Sequence, residues 1–135
     1  LAQGISNSGL SEWIAAAILS SGHLPLLILI ILLTLCIIFL TELTSNLATI
    51  AAFLPIIASI GVGMNVNLLQ LVIPATLAAS CAFMLPVATP PNAIIFSSDI
   101  ISIKNMSRAG IVLNLIFVIV ITILSNTLGS LVFSY

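Results

Sequence analysis

Apolar residues run along the chain in long stretches, separated by a few short polar or proline-rich interruptions. The stretches cover residues 24–40, 47–60, 68–85, 93–103 and 109–132. A helix over the first of them would rise roughly 25 Å, which is borderline for a hydrocarbon core of about 30 Å. We therefore predict an all-α chain whose apolar segments lie in a membrane.

Composition strengthens this prediction. The chain is 61% hydrophobic and only 4% charged, whereas a soluble domain carries about 25% charged residues. A water-facing surface cannot be built from so few charges, and no basic patch is present to bind nucleic acid. The sequence also lacks a Ser/His/Asp set, zinc-ligand spacing and paired carboxylates, so we predict that the protein is not an enzyme.

The N-terminal part of the chain predicts a short helix at the membrane surface. Ser11 suits an N-cap and Glu12 the first turn, and Trp13 prefers the interface between water and lipid. A helix packed on the rest of the protein is the alternative. Because residues 1–4 have neither an initiator Met nor a basic leader, we interpret the chain as part of a longer protein.

A polar turn of residues 41–46, with the sequence Thr-Glu-Leu-Thr-Ser-Asn, separates two apolar segments. If both segments are full spans, the turn faces water. If they form a re-entrant hairpin, the turn lies inside the protein, where irregular backbone is tolerated only when it is buried or lines a cavity. Glu42 is either a structural anchor or electrostatic partner at the tip, or a hydrogen-bonded acid that merely caps the hairpin, and we favour the cap.

A proline-rich interruption over residues 86–92 cannot continue a helix. Pro91 has no N–H group, and Pro90 moves Thr89 out of the helical region. Proline is nevertheless favourable at a helix start. The pattern predicts a helix, an unwound stretch and a second half-helix, and discontinuous helices of this kind mark the binding sites of transporters.

Lys104 and Arg108 predict the orientation, because positive residues favour the cytoplasmic side. The turn that contains them would be cytoplasmic, residues 109–132 would cross back, and the predicted loop 61–67 would lie outside. A re-entrant hairpin would also open to the outside.

Four further residues have structural interpretations. We interpret Cys36 and Cys81 as packed thiols, since buried cysteine behaves as a small hydrophobe. His23 is interpreted as an interfacial residue, and Asp99 as an exposed charge on the cytoplasmic side.

Two motifs resemble a known family. One is the polar turn 41–46 followed by Leu54 and Pro55, and the other is residues 80–93, with the sequence SCAFMLPVATPPNA. Both motifs and their spacing resemble the divalent anion/sodium symporters, the sodium-dependent dicarboxylate, citrate and sulfate cotransporters. The resemblance covers the whole chain, but only the second of the family's two inverted repeats.

The resemblance implies an all-α integral membrane fold that is half of an inverted-repeat transporter. Residues 1–22 would be an arm helix and the end of the scaffold connection, and 23–60 a re-entrant helical hairpin. Residues 68–103 would be a discontinuous transmembrane helix and 108–133 the final transmembrane helix. The implied partners are the lipid bilayer, the N-terminal half of the same transporter and a second copy in a homodimer.

The resemblance also implies a site. Its substrate-binding positions fall on Ser45, Asn46, Thr89 and Pro90, and its sodium positions fall on Thr41, Thr44, Asn46 and Ala88. Thr44 would contribute mainly its backbone carbonyl. Leu47 replaces the threonine that the family carries after Ser-Asn.

Elementary electrostatics gives these positions a rationale. A Lys or Arg in mid-membrane costs roughly 2.5–3.5 kcal/mol, whereas helix N-termini offer free N–H groups and positive potential to an anion. Two such N-termini are predicted, one near Asn46 and one after Pro91. Helix C-termini and unwound backbone, near Thr41 and Ala88, supply the carbonyl oxygens that suit sodium.

The function implied is sodium-coupled symport of small dianions such as succinate, malate, citrate or sulfate by alternating access, in a multi-pass protein of the cell membrane. An exchanger, a proton-coupled carrier and an ion channel are the alternatives. Ser125-Asn126-Thr127 repeats the family triplet literally, but no hairpin or following proline accompanies it, so we interpret it as an interfacial turn.

Overall fold

A computed structural model describes residues 4, 8–20, 24–98 and 100–132 of the chain. These residues form six helices and no strand, so the all-α prediction is confirmed for this part of the chain. The helices are α1 Leu10–Ser20, α2 Leu26–Thr41, α3 Asn46–Met64, α4 Leu69–Ala79, α5 Pro90–Phe96 and α6 Ile103–Val132.

Two of these helices are long and apolar enough to cross a membrane. They are Asn46–Met64 and, within α6, Ile103–Leu128, while α2 and α4 are apolar but shorter. This agrees with an integral membrane chain, because lengths near 20 residues match the hydrocarbon core. The re-entrant hairpin stays a prediction.

The core lies where α2 packs against α3, α4 and α6. Its fully buried side chains include Ile37, Ile38, Ile57 and Leu71. Large apolar side chains also point away from this core, as Ile123 of α6 does with 59% of its surface exposed. Such extended apolar faces require lipid or further protein against them.

The N-terminal helix packs on α3 through Ala15, which is buried. It begins at Leu10, because Gly9 takes a left-handed conformation (φ 71°) and its carbonyl accepts the N–H of Trp13. Ser11 therefore lies in the first turn, and its predicted N-cap role is wrong. The location of α1 at a membrane surface stays a prediction.

Several predicted boundaries move. The loop expected at 61–67 begins only at Asn65, since α3 runs to Met64. Helix α4 ends at Ala79, well before residue 85. Lys104 and Arg108 belong to the first turns of α6 and not to a turn between helices.

The predicted interfacial turn at Ser125-Asn126-Thr127 is wrong, because all three residues lie within α6. No proline interrupts this helix, and the hydroxyl of Thr127 donates to the carbonyl of Ile123 one turn back. Such back-bonding satisfies a hydroxyl inside a helix and removes the reason for a turn.

The remaining structural interpretations have mixed outcomes. Cys81 is half-buried and packs against the core, whereas Cys36 is exposed on α2, so the prediction of a packed thiol is wrong for Cys36. His23 and Asp99 lie outside the described residues.

Asn65 ends α3 in the left-handed region, with φ 53° and ψ 40°. Glycine adopts this conformation freely, whereas β-branched residues are strained in it. We expect Asn65→Gly to leave the free energy of unfolding unchanged or slightly higher, and Asn65→Val to lower it by about 1–2 kcal/mol. Thermal unfolding of the purified protein in detergent measures both, and equal effects of the two substitutions would contradict the assignment.

Candidate functional site

The polar turn connects the C-terminus of α2 to the N-terminus of α3. Helix α2 finishes at Thr41 and α3 starts at Asn46. Ser45 is extended, and its hydroxyl oxygen accepts the backbone N–H of Ala48 at 3.4 Å, as an N-cap does. The turn thus places the start of α3 beside the end of α2.

Residues 80–89 separate α4 from α5 without regular helix, and we call this segment the break. Thr89 closes the break, since its side-chain oxygen accepts the N–H of Asn92 at 3.4 Å and so caps α5. Pro90 and Pro91 occupy the first turn of α5, where their missing N–H groups cost no hydrogen bond.

The polar turn and the break meet at one cavity of about 510 Å³. Five residues predicted for the site line it, namely Thr44, Ser45, Asn46, Ala88 and Pro90. Leu43, Leu47 and Val87 complete the lining. The tertiary structure therefore brings together residues that are about 40 positions apart in the sequence, and Leu47, which departs from the family motif, is one of them.

Two other predicted residues do not line this cavity. Thr41 is fully buried, and its hydroxyl bonds the carbonyls of Ile37 and Ile38 at 2.8 and 2.9 Å. The side chain of Thr89 serves as the cap of α5. Both hydroxyls are thus engaged within their own segments.

Asn46 has an unusual environment at the start of α3. Its side-chain oxygen Oδ1 is buried and has no hydrogen-bond partner among the described residues. Buried polar atoms are nearly always paired, and an unpaired one costs free energy. A cation or a hydrogen-bond donor beside Asn46 would satisfy this oxygen.

Thr44 is arranged differently from Asn46. Its hydroxyl bonds the carbonyl of Leu40 at 2.8 Å and lies 2.5 Å from the hydroxyl of Thr49. Because this side chain already has partners, the backbone of Thr44 is the more available part of the residue at the cavity.

Glu42 forms a cluster that sequence analysis did not find. Its carboxylate accepts the backbone N–H groups of Phe83 (2.8 Å), Met84 (2.9 Å) and Leu85 (3.0 Å). It also accepts a bond from the side-chain amide of Asn114 at 2.7 Å. The favoured interpretation of Glu42 as a cap of its own hairpin is wrong, because these partners lie in the break and in α6.

The carbonyls of the break have side-chain partners as well. The amide of Asn92 donates to the carbonyls of Ala82 (2.9 Å) and Leu85 (3.0 Å). The hydroxyl of Ser107 donates to the carbonyl of Met84 at 3.3 Å. Side chains thus replace the hydrogen bonds that a continuous helix would have supplied.

Helix α6 approaches this backbone closely at Gly110. A Cβ atom there would lie 2.4 Å from the Cα of Met84 and 2.5 Å from the carbonyl oxygen of Phe83. The sequence held a signal for this contact, since Gly110 and Asn114 interrupt one apolar segment a single turn apart. Polar residues within apolar spans usually face protein and not lipid.

Comparison with known proteins identifies relatives of the family that the two motifs resemble, and the match extends along the whole chain. Residues 1–135 match the model of the sodium:sulfate symporter transmembrane region. A sodium-dependent dicarboxylate transporter of Staphylococcus saprophyticus is 48% identical over 124 residues, which cover 91% of this chain and 24% of the transporter. Solute carrier family 13 member 2 of Homo sapiens is 45% identical over 134 residues, covering 99% of the chain and 23% of the carrier.

A third relative agrees with these two. The Na⁺/dicarboxylate cotransporter 3 of Rattus norvegicus is 42% identical over 133 residues, covering 98% of the chain and 22% of the cotransporter. The chain therefore spans about a quarter of the length of the curated relatives it matches.

Proposed function

The chain belongs to the sodium:sulfate symporter family, and from this premise we propose that it is part of a sodium-coupled carrier of small dicarboxylates. The names of its relatives, which are dicarboxylate transporters, support this substrate class. The observation that carries the proposal is the cavity at which the polar turn and the break meet. The same names point away from an enzyme.

The cavity has the features that an anionic substrate requires. It lies at the N-terminus of α3, where N–H groups without helical partners favour negative charge. It also borders the start of α5, where Pro90 and Pro91 have no N–H groups and only the helix dipole contributes. Ser45 and Asn46 add polar side chains, and no Lys or Arg lines the cavity. A carboxylate group of the substrate would be met by Ser45, Asn46 and the start of α5, at Thr89 and Pro90.

Sodium would bind on the side of the same cavity that faces the end of α2. Thr41, Thr44 and Ala88 would supply backbone oxygens, which suit a hard cation, and the unpaired Oδ1 of Asn46 would complete the set. A sodium ion at this place would offset part of the negative charge of the substrate. We take this mutual stabilisation as the basis of coupling, since each ligand would raise the affinity for the other by the same factor.

The wider arrangement follows the family. The chain would combine with an N-terminal half of the same transporter and pair as a homodimer in the cell membrane. The segment 23–60 would be a re-entrant hairpin, and transport would proceed by alternating access. These features belong to the complete transporter, so the proposal is tested there and not in this chain alone.

Uptake of labelled succinate into proteoliposomes that contain the complete transporter tests the proposal. We expect saturable uptake that falls to background when choline replaces external sodium, because a bound sodium would be required to offset the charge of the substrate. Uptake that is unchanged in choline would indicate a proton-coupled carrier. Uptake that requires an internal dianion would indicate an exchanger, and sodium current without saturable uptake a channel.

A further inference from the structure

We propose that Glu42, with Asn114, is a positioning residue that holds the break against the polar turn and thereby fixes Ala88 and Pro90 at the cavity. This inference rests on the proposed function, and it assigns a role to residues that do not line the cavity. Its basis is the set of hydrogen bonds around the Glu42 carboxylate.

The carboxylate of Glu42 has four hydrogen-bond partners among the described residues. It is 3% exposed, and its four partners are all N–H groups, which suits an ionised carboxylate because that group only accepts. A buried carboxylate without such partners would be strongly unfavourable. Equally, an apolar side chain at this position would leave the backbone N–H groups of Met84 and Leu85 without this acceptor, and that of Phe83 with only the amide oxygen of Asn114.

Leu85 connects Glu42 to the cavity through a chain of hydrogen bonds. The N–H of Leu85 donates to Glu42, and the carbonyl of Leu85 accepts both the N–H of Ala88 (3.2 Å) and the amide of Asn92 (3.0 Å). Ala88 lines the cavity, and Asn92 belongs to α5, which starts at Pro90. A displacement of residues 83–85 would therefore displace this wall of the cavity.

The other wall is attached to the same side chain through the backbone. Glu42 lies between Thr41, which ends α2, and Leu43, which lines the cavity. Asn114 joins α6 to both parts, because its amide nitrogen donates to Glu42 while its oxygen accepts the N–H of Phe83 at 3.2 Å. One buried cluster thus fixes the polar turn, the break and α6 relative to one another.

The test compares Glu42→Gln with wild type in the complete transporter, using two readouts. Glutamine keeps the size of the side chain but replaces one acceptor oxygen with a donor, which would face backbone N–H groups. We expect faster hydrogen exchange of the amides of residues 83–85, measured by mass spectrometry in detergent. We also expect the KM for succinate to rise at least about tenfold, and by a larger factor than kcat changes, because the cavity wall is misplaced.

Glu12→Gln is the matched control, since Glu12 is an exposed carboxylate on α1 and is remote in sequence from both motifs. We expect it to change neither readout. Asn114→Ala is the second variant if Glu42→Gln fails to fold, because it removes one bond to Glu42 and one acceptor of the Phe83 N–H, and keeps the three backbone bonds to Glu42. It should change both readouts in the same direction by a smaller amount.

Wild-type exchange rates in Glu42→Gln would overturn the proposal. Faster exchange with an unchanged KM would also overturn it, since Glu42 would then stabilise the break without positioning the cavity. A wild-type transporter without sodium-dependent uptake would overturn the proposed function and the role in transport. The exchange measurement would still decide whether Glu42 holds the break.

Discussion

Asn46→Ala should lower sodium-dependent succinate uptake by the complete transporter at least about tenfold at subsaturating substrate and sodium. The side chain lies at the cavity, and its buried Oδ1 has no partner among the described residues. A hydrogen bond to a charged group contributes about 1.5–3 kcal/mol, and about 1.4 kcal/mol corresponds to tenfold in binding. Because Asn46 would contact both sodium and substrate, both dependences should shift.

Initial rates over a matrix of sodium and succinate concentrations measure this effect. Asn126→Ala is the matched control, because Asn126 belongs to the literal Ser-Asn-Thr triplet of α6 and its side chain is exposed. We expect Asn126→Ala to transport like wild type. If Asn46→Ala changed the succinate dependence alone, the shared site for sodium and substrate would be wrong. Wild-type kinetics in Asn46→Ala would refute the site altogether.

Gly110→Ala should lower the free energy of unfolding on the order of 3 kcal/mol, at the upper end of the usual cost of overpacking. The added methyl would lie 2.4 Å from the Cα of Met84 and 2.6 Å from its backbone nitrogen. Backbone atoms cannot rotate away as a side chain can, so either α6 or the break must shift. Since Glu42 and Asn114 hold the break in place, a shift would also break their hydrogen bonds.

Thermal unfolding of the complete transporter in detergent, together with succinate uptake, measures the result. Gly61→Ala is the matched control, because its added methyl would come no nearer than 3.4 Å to Leu68 and 3.9 Å to Leu71, which are ordinary contacts. Alanine also favours a helix over glycine by roughly 0.5–1 kcal/mol. Gly61→Ala should therefore be neutral or stabilising, and an equal loss in both variants would contradict the close approach at Gly110.

The class of the chain could be predicted from its sequence. Long apolar stretches with few charges require lipid or protein around helices, and the helical part of that prediction is confirmed. The family followed from two motifs, and it is confirmed over the whole chain. The separation of α4 from α5 was also foreseeable, since Pro90 and Pro91 suit the first turn of a helix, whereas two consecutive prolines inside one would remove two hydrogen bonds and clash with the preceding turn.

The ends of the helices were less predictable than their existence. Gly61 and Gly63 look like loop residues, yet α3 continues past them to Met64. The cause is packing, since Gly61 lies close to Leu68 and is buried. Similarly, α4 ends at Ala79 although the residues that follow are apolar, because the N–H groups of the break bond Glu42 and not a preceding turn.

The sequence by itself determined that this chain is helical, that its surface suits an apolar environment, and that the polar turn and the break carry the family motifs. These properties depend on residue type and on local backbone chemistry, which each segment carries alone. Only the tertiary structure decided that the polar turn and the break line one cavity, and that Glu42, Asn114 and Gly110 hold them together. Those contacts join residues as many as 72 positions apart, and hydrogen bonds over such separations leave no periodic trace in the sequence.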